Sequence, residues 1–277
     1  MKPEDYLAFR TAYDGGAYMG SQSQLHGKTV QDQFEKAIFT LFKLKTRLGF
    51  TSRTDSGVHA YDQIFFLKGG ARLWLEASES SRRRMRLSLN AILGPKIRVW
   101  EIGLLKAGFS PKEHVLWKEY RYQILQSPFE DPLGSSRQWW VRLPLSDSKL
   151  RSALHACEGN HDFAGFSKAS SVKKFEKRGT NRRVLKAEFK KTRHSTFSEA
   201  NLYEIRVRGE GFMHQMVRGI VGTSVEIALG ENFSINEMLR GGVHAASGCF
   251  APANALTLFK TRTASGWYRK LHAALPS

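Results

Sequence analysis

The 277-residue chain predicts an α+β fold, with strands and helices mixed in two similar lobes, residues 1–108 and 109–277. Three observations lead there. Strand–helix–strand order occurs in each half, two segments alternate apolar and polar residues with a period of two, and apolar stretches of helical spacing begin or end on capping residues. Hydrophobic residues make up 41% and charged residues 25%, which supports a sizeable core and excludes a disordered chain.

The elements follow in order. Tyr6–Tyr13 (YLAFRTAY) reads as a strand that ends at the turn Asp14-Gly15-Gly16. Thr29 and Asp32 form a capping-box pattern, and Val30, Phe34, Ala37, Ile38, Leu41 and Phe42 then share one helical face. Residues 63–67 are the next strand, entered from a polar loop. Residues 79–93 read as a helix bearing Arg82, Arg83, Arg84 and Arg86, and Ile97–Ile102 as a further strand. In the second half, Tyr120, Tyr122 and Ile124 alternate with Arg121 and Gln123, which makes a strand of two unlike faces. A helix over 147–158 leads to the turn Gly159-Asn160. Leu202–Arg208 alternates again until Gly209-Glu210-Gly211. A helix then runs from Phe212 to Leu229 with Gly230 as terminator, and Ser234 with Glu237 forms a second capping box.

Charge narrows the partner. There are 43 Lys and Arg against 25 Asp and Glu, a net +18. Residues 1–108 hold 17 basic and 10 acidic side chains and the remainder 26 and 15, so both halves are basic. That surplus favours a polyanion, nucleic acid before acidic membrane. Between Lys168 and Arg193 stand 11 basic residues and only Glu176 and Glu188. The stretch Lys173–Arg183, with Lys173, Lys174, Lys177 and Arg178, reads as a loop whose self-repulsion calls for an anionic ligand. Two cysteines, Cys157 and Cys249, supply neither a disulfide framework nor a zinc set and point to a reducing cytoplasm. The start MKPEDYLAF lacks the apolar core of a signal peptide, and the best apolar run, IVGTSVEIALG, is broken by Glu226, so no membrane association is expected.

The chemistry centres on FTSRTDSGVHAYDQIFFL, where Asp55 lies between Arg53 and His59 among turn-forming residues. Two readings fit: a tight loop whose Asp serves its own backbone, or a catalytic carboxylate kept ionised by Arg53. A metal centre needs several converging carboxylates and histidines, and beside Asp55 stand only Asp62 and His59, so no metal is expected. On the predicted helix His214 and Arg218, four residues apart, share a face. Arg218 sits among apolar neighbours, where it either snorkels to water or takes a carboxylate such as Asp55.

These segments together resemble the tRNA pseudouridine synthase A family over nearly the whole chain. YDGGAYMGSQSQ looks like that family's first turn, TVQDQFEKAI like the helix after it, and SRTDSGVHA like its Arg-Thr-Asp-x-Gly-Val-His catalytic loop. LNAILGPKIRV, KEYRYQIL, GNHDFAGFSK and GFMHQMVRGIVG follow in order. The resemblance implies two α/β lobes joined into a central, largely antiparallel sheet flanked by helices, with a basic cleft between them, in a homodimer. It implies that Asp55 is the essential aspartate and that Arg53, which helps displace the target base, binds the substrate together with His59. Tyr120 would pack against uracil and take part in proton transfer, and Arg218 would pair with the aspartate. The implied reaction isomerises uridine to pseudouridine in tRNA, at positions 38–40 of the anticodon stem-loop. Asp55 would attack C1′ or C6, or take a ribose proton. Neither oxidation nor net hydrolysis occurs, so no cofactor is expected. The rival reading is a catalytically idle or retargeted RNA-binding relative.

The sequence departs from the family pattern in segments expected to face RNA. Ser21 stands where Trp is usual and Ser23 where a basic residue is common. FSPKEHVL lacks the usual His-Ala-Arg-Phe stretch, and Ala255 replaces a typical Gly. Ser21 offers neither a surface for RNA nor the bulk to brace the catalytic loop.

Overall fold

The computed structural model describes residues 2–25, 27–167, 179–232, 234–240 and 250–271. Strand β1 (Tyr6–Tyr13) is followed by α1 (Val30–Phe42), the short β2 (Gly49–Phe50) and β3 (His59–Leu67). Helices α2 (Ala71–Leu75) and α3 (Glu79–Leu93), strand β4 (Ile97–Leu105) and the single turn α4 (Pro111–His114) come next. Then come β5 (Val115–Gln126), β6 (Trp139–Val141), α5 (Asp147–Ala156), β7 (Gly159–Asp162), β8 (Asn181–Arg193) and β9 (Asn201–Gly209). The chain closes with α6 (Met216–Leu229), α7 (Ile235–Met238), β10 (Leu256–Thr263) and β11 (Tyr268–Lys270). The fold is thus mixed, with largely antiparallel strands flanked by helices.

Two compact units emerge: Met1–Leu116 with Leu258–Ser277, and Trp117–Thr257. In the first, the strands run in the order β11-β4-β1-β3-β10, with β2 beside β3. Helix α1 forms where the capping box placed it: the Thr29 hydroxyl accepts from the Asp32 amide at 3.3 Å and donates to the Asp32 carboxylate at 2.6 Å. Its buried face (Val30, Phe34, Ala37, Ile38) meets the sheet through Phe34, whose ring lies 5.3 Å from Phe9 and 5.2 Å from Phe65. The other face of this sheet carries charge. Arg10 makes a two-pronged bond to Asp62, at 2.7 and 2.6 Å, and Asp62 also accepts from the Thr261 amide at 2.9 Å.

In the second unit the order is β5-β9-β8-β7, and β6 lies parallel to β5. Helix α6 is buried nearly all round, which explains its apolar sequence without a membrane. A Cβ on Gly219 would collide with the Phe166 carbonyl, so only glycine lets this helix approach that turn. Among the described residues no helix is long and apolar enough to cross a membrane.

Two expectations are corrected. Residues 181–183, read as loop, open the long strand β8, whose bulge between Val184 and Lys186 breaks the period of two that would have announced it. Helix α6 begins at Met216, not Phe212, because Gln215 adopts a left-handed conformation (φ 63°). His214 therefore precedes the helix and is exposed, and does not share a helical face with Arg218.

Candidate active site

The loop from Thr51 to Val58 presents Asp55 half-buried between an exposed Arg53 and an exposed Ser56. It leaves β2 anchored by Gln63 of β3, whose side-chain oxygen accepts from the Thr51 hydroxyl at 2.9 Å and the Ser52 amide at 3.1 Å. Its middle is held at Thr54. The Ser21 hydroxyl accepts from the Thr54 amide at 2.8 Å, the Thr54 carbonyl accepts from the Ser21 amide at 3.1 Å, and the Tyr13 and Thr54 hydroxyls bond at 2.8 Å. After Asp55 the Ser56 hydroxyl donates to the Tyr18 carbonyl at 3.4 Å, and the Val58 amide closes a turn onto the Asp55 carbonyl at 3.2 Å. Ser21 is fully buried. The expectation that it cannot brace this loop is therefore overturned: two hydrogen bonds replace bulk. No spacing rule could have found that, since the partners are 33 residues apart.

The loop ends against the first turn. A Cβ on Gly15 would collide with the Val58 carbonyl, which makes this glycine a requirement of close approach. His59 is buried, its Nδ1 lying 3.1 Å from the Gly15 amide nitrogen and 3.2 Å from Asp14 Oδ1. It cannot serve both at once: a neutral ring accepts from Gly15, and a protonated Nδ1 donates to Asp14. Lys96, 2.6 Å from the same carboxylate, holds Asp14 below its ordinary value. Asp62, the other nearby acid in sequence, is committed to Arg10 and Thr261.

Tyr120 and Arg218 belong to the second unit. The two faces of β5 set the direction of Tyr120. On one, Glu119 binds Arg121 at 3.1 Å and Arg208 at 2.6 Å, and Gln123 donates to Glu204 at 3.0 Å. On the other, Tyr120, Tyr122 and Ile124 are buried, and the Tyr120 ring meets Phe212 edge-on with centroids 5.3 Å apart. Two residues before Tyr120, Lys118 is desolvated, which pushes its ammonium down to about 8. Strand alternation places it on the face of Tyr120, and sequence reasoning missed it because its burial is tertiary. Arg218 is half-buried on α6 and donates from Nε to the Ala251 carbonyl at 2.7 Å, while the Ala251 amide donates back to the Arg218 carbonyl at 3.1 Å. Tyr122 donates to the Pro252 carbonyl at 2.8 Å, and burial raises its pKa against the pull of the Arg218 charge.

Lys173, Lys174, Lys177 and Arg178 lie outside the described residues. Further along the same basic run, Lys186 is 3.2 Å from Glu158, Lys191 3.0 Å from Asp147 and Arg183 3.3 Å from Glu210. The run is single-signed along the chain, yet acids from other elements answer part of it.

Glu119 provides a stability test next to Tyr120. Burial raises its pKa, and the bonds from Arg208 and Arg121 more than reverse this, leaving it below the ordinary value. A lowered carboxyl stabilises the fold above its ordinary value, and that contribution disappears as pH falls through the lowered one. Glu119→Gln is therefore expected to lose about 1–3 kcal/mol near pH 7, since Arg208 loses the carboxylate it binds, while Arg121 retains Glu204, 3.5 Å away. The gap from wild type should narrow as pH falls below the ordinary glutamate value of 4.5 and close only below the lowered one. Denaturant melts between pH 7 and 3.5 measure it, and a gap constant with pH would refute the ion-pair account.

The family model for tRNA pseudouridine synthase matches residues 153–262. The tRNA pseudouridine synthase A of Geotalea daltonii is 32% identical over 250 residues, covering 90% of this chain and 95% of that protein. That of Thermus thermophilus is 32% identical over 247 residues, with 88% and 91% covered. That of Borreliella afzelii is 33% identical over 254 residues, with 90% and 95% covered. Similarity that runs nearly end to end in both partners cannot come from one shared module, and the chain belongs to the tRNA pseudouridine synthase A family.

Proposed function

We propose that the protein isomerises uridine to pseudouridine in tRNA, at positions 38–40 of the anticodon stem-loop, as a homodimer without a cofactor. The observation that carries this reading is the Asp55 loop. It is a carboxylate in a motif of the family, held by hydrogen bonds on both sides and flanked by an exposed arginine. In the reaction the N1–C1′ bond breaks, the freed uracil turns, and C5 joins C1′. The C5 proton leaves and N1 gains one, so atoms and electrons balance without oxidant, reductant or water.

The residues divide the work by chemistry. Asp55 is the acting carboxylate, since an acid in a restrained loop reaches the reacting sugar or ring without a search for geometry. Arg53 occupies the space vacated when the base leaves its stack, a step that costs a few kcal/mol. Tyr120 stacks on the uracil and hands on a proton, and Arg218 supplies the positive charge that keeps the acting carboxylate ionised. Lys173, Lys174, Lys177 and Arg178 hold the tRNA backbone.

A full pool of unmodified tRNA treated with the protein in buffer containing EDTA tests the reading. Pseudouridine mapped at 38, 39 and 40 is the expected result. No pseudouridine anywhere would leave the idle RNA-binding reading, and modification elsewhere would retain the chemistry while removing the anticodon assignment.

A further inference from the structure

We infer that Ser21 is a positioning residue for Asp55, acting through Thr54; this deepens the proposed reaction and rests on Asp55 as its acting carboxylate. Three observations support it. Ser21 has no exposed surface, and its amide and hydroxyl both bond the backbone of Thr54, at 3.1 and 2.8 Å. The residue so held is the immediate neighbour of Asp55. Ser21 is itself anchored, because its carbonyl accepts from the Gln31 amide at 3.1 Å and the Gly20 carbonyl from the Val30 amide at 3.2 Å, both in the first turn of α1. Helix, turn and loop therefore form one hydrogen-bonded unit. The Tyr13 hydroxyl, 2.8 Å from that of Thr54, holds the same residue from β1, and the Ser56 hydroxyl on the Tyr18 carbonyl holds the other side of Asp55.

The physical consequence is a division of roles. The bond from the Ser21 hydroxyl is a single acceptor for a buried amide, and without it the Thr54 N–H has no water to turn to. The loop then relieves that amide by moving, and Asp55 moves with it. A displacement of the acting group alters the chemical step more than the binding of a large polyanion, whose attraction is spread over many phosphates.

Ser21→Ala tests this by steady-state kinetics on a tRNA substrate and by amide hydrogen exchange. The expected result is a fall in kcat of about tenfold or more, KM within about twofold of wild type, and exchange at Thr54 and Asp55 faster by about tenfold with the strand amides unchanged. Tyr13→Phe, which withdraws the hydroxyl on the other side of Thr54, should move the same quantities in the same direction. If Ser21→Ala does not fold, Ser21→Cys, which leaves only a weak acceptor for the Thr54 amide, replaces it with the same expected direction. Wild-type kcat with unchanged Thr54 exchange would overturn the proposal, as would a loss of protection spread over the whole first unit, which marks a merely structural residue. If wild-type protein makes no pseudouridine at all, the functional reading fails, while the exchange measurement still decides whether Ser21 holds the loop.

Discussion

Asp55→Asn is expected to make no pseudouridine while binding tRNA at least as well as wild type. The substitution keeps the size and polarity of the side chain and removes only its charge and basicity. Those are the properties that attack on a sugar or ring carbon, or removal of a proton, requires. Loss of an acting carboxylate is expected to lower turnover by about a thousandfold or more. Binding should not weaken, because a single acid in a protein of net charge +18 only repels a polyanion. The loop keeps its bonds at Thr51, Thr54 and Ser56, none of which the substitution removes. Single-turnover mapping with matched filter-binding measures both quantities. Measurable turnover from a clean preparation would remove Asp55 from its role.

Changing Lys173, Lys174, Lys177 and Arg178 together to alanine is expected to weaken tRNA binding by about a hundredfold or more at moderate salt. The expectation follows from counterion release: for every phosphate that is no longer neutralised, the slope of log K against log salt falls by about 0.7–0.9. The same basic run continues into β8, where Lys186, Lys191 and Arg183 already face Glu158, Asp147 and Glu210, so these four residues are expected to supply a large share of the phosphate contacts that the run makes. Titrations at several salt concentrations should show a shallower slope and unchanged turnover on bound substrate. A slope equal to that of wild type would mean that this run is merely solvated.

The local elements were legible where one period or one cap decides them. The Thr29 cap of α1 formed, Asp14 caps its turn by accepting from the Gly16 amide, and Gly230 ends α6 in a left-handed conformation. Strands β5 and β9 carry the unlike faces that their alternation announced, because a strand between a helix layer and a polar face must obey a period of two. The segment bearing Asp55 was legible as a loop because turn-forming residues are consecutive there, between β2 and β3.

Features that join distant residues were not legible. The bulge after Val184 places Val184 and Ala187 three apart on the buried face of β8, so its period vanishes from the sequence. The left-handed Gln215 starts α6 four residues after its apolar pattern begins, and moves His214 off the helix that carries Arg218. Strand β10 returns to β3, where Asp62 receives the Thr261 amide, a partner 199 residues away. Ser21 looked like a loss of bulk and became a hydrogen-bonded brace, because burial and the Thr54 amide supply its meaning. Local sequence determined which residues form helices, strands and turns, since those preferences act over a few residues. Tertiary structure alone decided which buried donors and acceptors meet, because that depends on which chain segments close together.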